Sequence, residues 1–347
     1  MNSIPLDPGS TRMFREAAQA GAAVRAQLAR NRDAARALGV KLRAAAPRAV
    51  VTCARGSSDH AATFAKYLFE TRVGVLTASA APSIASVYGA RQDLRDCLFI
   101  VISQSGRSPD LVSTTEAAKE GGALVVALVN DEASPLAALA DHTLPLAAGE
   151  ELSVAATKSF IASLAALTQL ATEWIGDDVL RTALARAPDD LERAWELGWD
   201  AALETLRPAA NLYVIGRGVG LGIAQEAALK CKETCGLHAE GFSAAEVRHG
   251  PQALLQDDFP ALIFSQGDQT RAGIEALGRD LVARGVDVMI AGAEVKGAIA
   301  LPSIATHPLI EPMLFIQSFY RLANALAIAR GHDPDRPPHL RKVTETT

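Results

Sequence analysis

Two groups of residues in this chain have types and spacings that could do chemistry. The first is a set of polar side chains: Ser103, Gln104, Ser105 and Ser108 in "SQSGRSPDL", and Ser57 and Ser58 in "CARGSSDHA". Each set follows a short apolar run and precedes a helical pattern. Ser108-Pro109-Asp110 reads as a helix start, with Ser108 at the N-cap and Pro109 at the first helical position. Backbone N–H groups and the helix dipole then converge on one spot, where hydroxyl donors join them, and that combination suits a phosphate. The plainer alternative is that the serines only cap helices. Recurrence of the device at two strand ends of one sheet favours phosphate. No GxxxxGK[ST] loop occurs, and "GRGVGLG" (216–222) lacks the acidic residue that a dinucleotide-binding fingerprint places on a following strand.

The second group could move protons. Glu226, Lys230 and Glu233 are spaced by four and three in a helical pattern, so they share one face. A solvated ion pair is the alternative, but the Ala, Leu and Cys neighbours leave that helix little polar surface. The helix is expected to run into a loop holding Glu240, Glu246 and His249, just before Gly250-Pro251. A carboxylate, a lysine and a histidine together can shift a proton between adjacent sugar carbons. The carboxylate takes the proton, the lysine holds hydroxyl oxygens and the histidine opens or closes the ring. His60, His142, His238 and His307 have no such setting and read as structural.

The elements that must position these groups form a repeated pattern. Residues 11–46 carry Ala, Leu and Arg with few breakers and read as leading helices that end before Pro47. Candidate strands follow at 48–54, 74–79, 97–103, 123–130 and 142–146, apolar on successive positions, as in strands covered by helices on both faces. After a helical stretch over 153–207 the pattern restarts, with strands at 211–218, 260–266 and 286–292 and a helix over 219–235. Gly218 follows Gly56, and Ser265 follows Ser103, by the same 162 positions. Two landmarks with one offset argue for a duplicated α/β unit with parallel sheets and ligand sites at the strands' carboxyl ends.

Composition bounds the rest. The chain has 347 residues, 49% of them hydrophobic, enough for two domains with full cores. A formal net charge of -5 implies no broad basic face for nucleic acid. Cys53, Cys97, Cys231 and Cys235 are too few for a disulfide scaffold. Cys231 and Cys235 lack further ligands at metal spacing, so they read as small buried hydrophobes. No run of eighteen apolar residues and no signal-peptide pattern occurs, and a reducing cytoplasm is expected.

The stretches "RGSSDHA", "SQSGRSPDL", "VAATKSF", "EAALKCKE", "EVRHGP" and "HLRKVTET" stand in an order that resembles the sugar isomerase (SIS) domain family. The likeness is strongest to the isomerase half of glucosamine-6-phosphate synthase and to stand-alone amino-sugar-phosphate deaminases. It implies an α/β fold of two tandem flavodoxin-like SIS domains, at 36–182 and 198–335, after an N-terminal helical segment 1–35 and before a C-terminal tail 336–347. It also implies that Ser57, Ser58, Ser103, Gln104, Ser105 and Ser108 hold the phosphate and nearby sugar oxygens, and that Val154 is a substrate contact. Glu233 would shuttle the proton between C1 and C2, with Lys230 assisting. His249 would open the ring, reaching the site from a second subunit of a homodimer. Lys342, otherwise an ordinary residue of a loose Pro-rich tail, falls where the synthase forms an imine with the sugar carbonyl. No metal or organic cofactor is implied, nor a nucleic-acid or membrane partner.

The departures shape the expected activity. The synthase begins with a glutaminase domain opening on a nucleophilic cysteine, and this chain has no Cys near its start, so no ammonia source of its own is expected. The loop "SGRSPD" resembles the deaminases, and Ala156 replaces a hydroxyl residue of the family pattern. The favoured expectation is conversion of glucosamine-6-phosphate and water to fructose-6-phosphate and ammonia. A plain aldose–ketose isomerase, a deglycase of the same fold and a non-catalytic sugar-phosphate sensor are the alternatives.

Overall fold

The computed structural model describes residues 7–256 and 258–342. Two helices, α1 (Arg12–Ala18) and α2 (Ala20–Ala45), come first. A first α/β run follows: β1 (Ala49–Cys53), α3 (Ser57–Leu68), β2 (Thr77–Ser79), α4 (Ser83–Ser86), β3 (Cys97–Ser103), α5 (Pro109–Glu120), β4 (Leu124–Val129), α6 (Pro135–Leu139) and β5 (His142–Thr143). Helices α7 (Lys158–Ile175), α8 (Asp178–Trp195) and α9 (Asp200–Leu206) lead to the second run. That run is β6 (Asn211–Gly216), α10 (Gly220–Cys235), β7 (His238–Ser243), β8 (Ala261–Phe264), α11 (Arg271–Ala283), β9 (Val288–Ala291), β10 (Ile299–Leu301) and α12 (Glu311–Ala329).

The strands form two five-stranded parallel sheets, ordered β2-β1-β3-β4-β5 and β10-β9-β8-β6-β7. Counted from its own first strand, each sheet has the order 2-1-3-4-5, the flavodoxin-like arrangement in which ligands sit beyond the strands' carboxyl ends. The tandem α/β architecture expected from the sequence is therefore present. Its cause is plain in β3, where all seven residues are buried, as a strand covered on both faces must be.

The chain divides into two compact units, and neither is one continuous stretch. An N-sheet unit holds Ala22–Glu151 and Lys158–Arg186, with a core of Phe99, Val101, Val125, Ala127 and Leu111. Within it α2 and α7 approach closely: a Cβ on Gly39 would lie 2.4 Å from the carbonyl oxygen of Glu173. A C-sheet unit holds the residues up to Gly21, Leu152–Thr157 and Ala187–Lys342, with a core of Tyr213, Ile215, Ile263, Ile290 and Leu277.

Two strands were not expected from the sequence, and two expected ones are shorter, β2 being confined to Thr77–Ser79 and β5 to His142–Thr143. The segment expected as a loop after α10 begins with β7, so Glu240 lies on a strand, and Glu246–His249 forms a turn of 3-10 helix. "HAEGFS" has weak strand propensity, and its in-register pairing with β6, from Asn211 and His238 to Gly216 and Ser243, sets its conformation. The three-residue β10 was also not anticipated. The helix expected from residue 153 begins at Lys158, which leaves residues 152–157 as a loop.

Candidate active site

In the N-sheet unit the two serine loops lie at the ends of adjacent strands, β1 and β3. Gly56 is the N-cap of α3 with φ of 55°, so Ser57 and Ser58 open that helix. Ser108 is the N-cap of α5 and Pro109 its first residue, yet the Ser108 side chain makes no capping hydrogen bond. Capping thus does not account for the Ser108 hydroxyl. Ser103 is buried, and its Oγ accepts the Gly106 N–H at 3.0 Å, which shapes the loop. Gly106 has φ of +64°, and a Cβ there would lie 2.2 Å from Ser134 Oγ, so the turn requires glycine. Gln104, Ser105 and Ser108 are half-buried.

An ion pair joins the two loops. Arg55 Nε donates to Asp110 Oδ2 at 2.8 Å; the Asp110 side chain is fully buried and that of Arg55 is 49% exposed. Burial, and then the Asp110 charge, push the nearby Cys53 thiol up to about 12. The thiol is therefore held in its neutral form.

In the C-sheet unit, α10 carries the second group. Lys230 Nζ lies 2.5 Å from Glu233 Oε2 and 3.3 Å from Glu226 Oε1. The side chains of Lys230 and Glu226 are 0% exposed, and that of Glu233 is 21% exposed. A solvated ion pair on a helix surface is thereby excluded. Burial alone would lower the Lys230 pKa, but Glu226 and then Glu233 outweigh it and hold the ammonium up at about 12. The Tyr320 hydroxyl, from α12, donates to Glu226 Oε1 at 3.2 Å. The arrangement is a fixed cation between two carboxylates, of which Glu233 is the one with open surface.

The loop 152–157 lies in the same unit. Val154 is half-buried, and Ser153 is buried with its hydroxyl unpartnered among the described residues. Lys342 Nζ donates to the Ser153 carbonyl at 2.7 Å, so the tail lysine sits on the loop that carries Val154. Glu16 of α1 accepts the N–H groups of Leu152 and Ser153 at 2.7 and 3.0 Å. His249 is exposed on the turn Glu246–His249 and is not brought to Lys230 or Glu233 by any interaction among the described residues.

Four features of these groups went unread in the sequence: the Arg55–Asp110 pair, the Tyr320 contact to Glu226, the unpartnered Ser153 hydroxyl and the Glu16 carboxylate. Only Arg55–Asp110 left a signal, since both residues belong to the two serine stretches. Among the described residues no cluster of three or more His, Cys, Asp or Glu side chains could hold a metal ion, and no helix is long and apolar enough to cross a membrane.

Comparison with known proteins bears on the family and the fold. The glutamine–fructose-6-phosphate aminotransferase (isomerizing) of Thermococcus kodakarensis is 34% identical over 315 residues, 84% of this chain and 51% of the relative. The chain thus spans about half the length of the curated relatives it matches. A solved chain from Silicibacter pomeroyi, provisionally named a phosphosugar isomerase, is 42% identical with a TM-score of 0.90 and covers 94% of this chain and 100% of its own. Glucosamine-6-phosphate deaminase from Thermotoga maritima shares the fold with a TM-score of 0.78 at 22% identity, over 97% of this chain and 100% of that one. The SIS domain model matches residues 45–173 and 205–305, one match over each parallel sheet, and the chain belongs to the SIS domain family.

Proposed function

We propose that the chain is an enzyme acting on amino-sugar phosphates, with glucosamine-6-phosphate and water giving fructose-6-phosphate and ammonia as the favoured reaction. The observation that carries this reading is the gradient of exposure on α10, where buried Lys230 and Glu226 back a Glu233 whose side chain is 21% exposed. Glu233 is then a base held in one orientation and open to a substrate. Lys230 acts through Glu233 in this arrangement, because its own ammonium is fully enclosed.

The chemistry follows from that base. Glu233 takes the C2 proton of the open-chain 2-amino aldose and returns it to C1. The C1 carbonyl becomes a hydroxymethyl group and the C2 amine becomes an imine. Water adds to the imine carbon and ammonia leaves, with no net change in electrons. Ser57, Ser58, Ser103, Gln104, Ser105 and Ser108 hold the phosphate and neighbouring oxygens, Val154 contacts the sugar, and Lys342 serves the sugar carbonyl. His249 opens the ring of a substrate bound to the partner subunit of a homodimer, a role that its exposure supports. The names of the relatives, which act on fructose-6-phosphate or glucosamine-6-phosphate, support the substrate class.

The test is release of ammonia and of ketose phosphate by the purified protein across a panel of amino-sugar 6-phosphates. Ammonia from glucosamine-6-phosphate or a close epimer is expected. If none releases ammonia while a plain aldose phosphate is converted to its ketose, the simple isomerase reading replaces this one.

A further inference from the structure

We propose that Glu16, on the N-terminal helix α1, is a positioning residue of the active site: it fixes the loop 152–157 and, through Ser153, the seat of Lys342. The proposal rests on the reading above that Val154 and Lys342 serve the substrate. Glu16 is 8% exposed and uses both carboxylate oxygens on adjacent amides, Oε1 on Leu152 and Oε2 on Ser153. Two bonds to consecutive N–H groups fix both the place and the plane of the peptide between them. The next peptide is held from the other side, where the Ser153 carbonyl accepts from Lys342 Nζ. A loop without regular secondary structure is thus set by two charged groups from opposite ends of the chain.

Helix α1 is built to bear this. The Asp335 carboxylate accepts the Arg12 and Met13 N–H groups at 2.7 and 2.9 Å, so α1 also anchors the tail that leads to Lys342. Thr11 Oγ1 donates to Asn324 Oδ1 at 2.6 Å, and Gln317 Nε2 donates to the Ala17 carbonyl at 3.0 Å, which ties both ends of α1 to α12. One short helix therefore sets the loop and the tail together. Site geometry must hold to fractions of an ångström, so loosening this anchor should reach turnover.

The experiment uses the full chain with Glu16→Gln and Glu16→Asp. Gln keeps the shape but has one acceptor oxygen, so one of the two N–H groups loses its partner. Hydrogen exchange at Leu152 and Ser153 should quicken about ten- to a hundredfold, as expected for a lost buried hydrogen bond to a charged group. Turnover number should fall by a similar factor, while the affinity for inorganic phosphate, read on the serine loops of the N-sheet unit, stays unchanged. Glu16→Asp keeps both oxygens one carbon short and should fall between; it carries the test if Glu16→Gln does not fold. Unchanged exchange at 152–153 overturns the proposal, as does faster exchange with turnover and KM unaltered. Wild-type protein without turnover on any amino-sugar phosphate would sink the proposed function instead, and exchange would then decide the role of Glu16 alone.

Discussion

Lys230→Met should destabilise the protein by about 3–5 kcal/mol, the usual cost of removing one partner from a buried ion pair. The structure sets this magnitude. Lys230 Nζ is enclosed 2.5 Å from Glu233 and 3.3 Å from Glu226, and Glu226 is itself 0% exposed. Methionine keeps most of the length of the stem, so the loss is chiefly that of the charge rather than a cavity. Glu226 keeps the Tyr320 hydroxyl at 3.2 Å, but a neutral donor cannot balance a buried carboxylate. A pair in solvent at the same spacing would contribute only about 0.3–0.5 kcal/mol, so a threshold near 1 kcal/mol separates the two cases. Urea unfolding followed by circular dichroism measures the difference, on the transition of the C-sheet unit. Adding Glu226→Gln to Lys230→Met should return much of the loss, because the buried charge leaves with its partner. The reasoning fails if Lys230→Met is within about 1 kcal/mol of wild type, or if the double variant is as unstable as the two single losses combined.

Three further outcomes are expected. Ser105→Ala should weaken sugar-phosphate binding by about 1–3 kcal/mol, the cost of one hydrogen bond to a charged group, and equal affinity of wild type for glucosamine and its phosphate would refute the phosphate assignment. Stability should fall as pH rises from 9 toward 12: the Lys230 ammonium is raised from 10.5 to about 12, and burial raises the Cys53 and Cys235 thiols from 9.0 to about 12. The unfolded chain loses each of these protons first, so the folded state binds more protons in that window, and a urea midpoint that holds or rises between pH 9 and 11 contradicts the assignment. Inactive Glu233→Gln and His249→Ala proteins should regain partial activity when mixed and reassembled, and a fully active monomer would rule out the shared site.

The elements legible in the sequence are those whose burial is uniform. β3 and β4 are continuous apolar runs because helices cover both faces, and the runs predict them almost to the residue. β7 is an edge strand with an exposed, buried, exposed start and carries His238 and Glu240, so nothing in its composition marks it. Residue type exposed the serine loops, and helical spacing exposed Glu226, Lys230 and Glu233. Spacing could not tell a solvated pair from a buried one, because that depends on Tyr320 and the rest of α12, which lies nearly a hundred residues away in the chain. Glu16 was invisible for the same reason: its partners at 152 and 153 are 136 and 137 positions on, and a lone glutamate near the end of a polar helix reads as surface.

The 162-residue offset also explains why only one half of the duplication has the residue types of a phosphate cradle. Ser103-Gln104 recurs as Ser265-Gln266, Ser108 as Thr270 and Gly106 as Asp268. In the N-sheet unit the loop after the strand keeps the half-buried hydroxyls of Ser105 and Ser108 at the start of α5. In the C-sheet unit the matching loop turns inward on its own groups. Gln266 Nε2 donates to the Arg217 carbonyl at 2.8 Å and to Asp268 Oδ2 at 3.0 Å, and Thr270 Oγ1 donates to Asp268 Oδ1 at 2.5 Å. The Gly267 N–H, the first amide that an anion would seek there, donates to Glu311 Oε2 at 2.6 Å. That turn therefore has the Asp268 and Glu311 carboxylates on its polar groups, with the Arg271 guanidinium also beside Gly267, where the other half has hydroxyls. With Asp268 where the first half has Gly106, and with the Glu311 carboxylate of α12 on the Gly267 amide, the second loop is a turn held by its own hydrogen bonds.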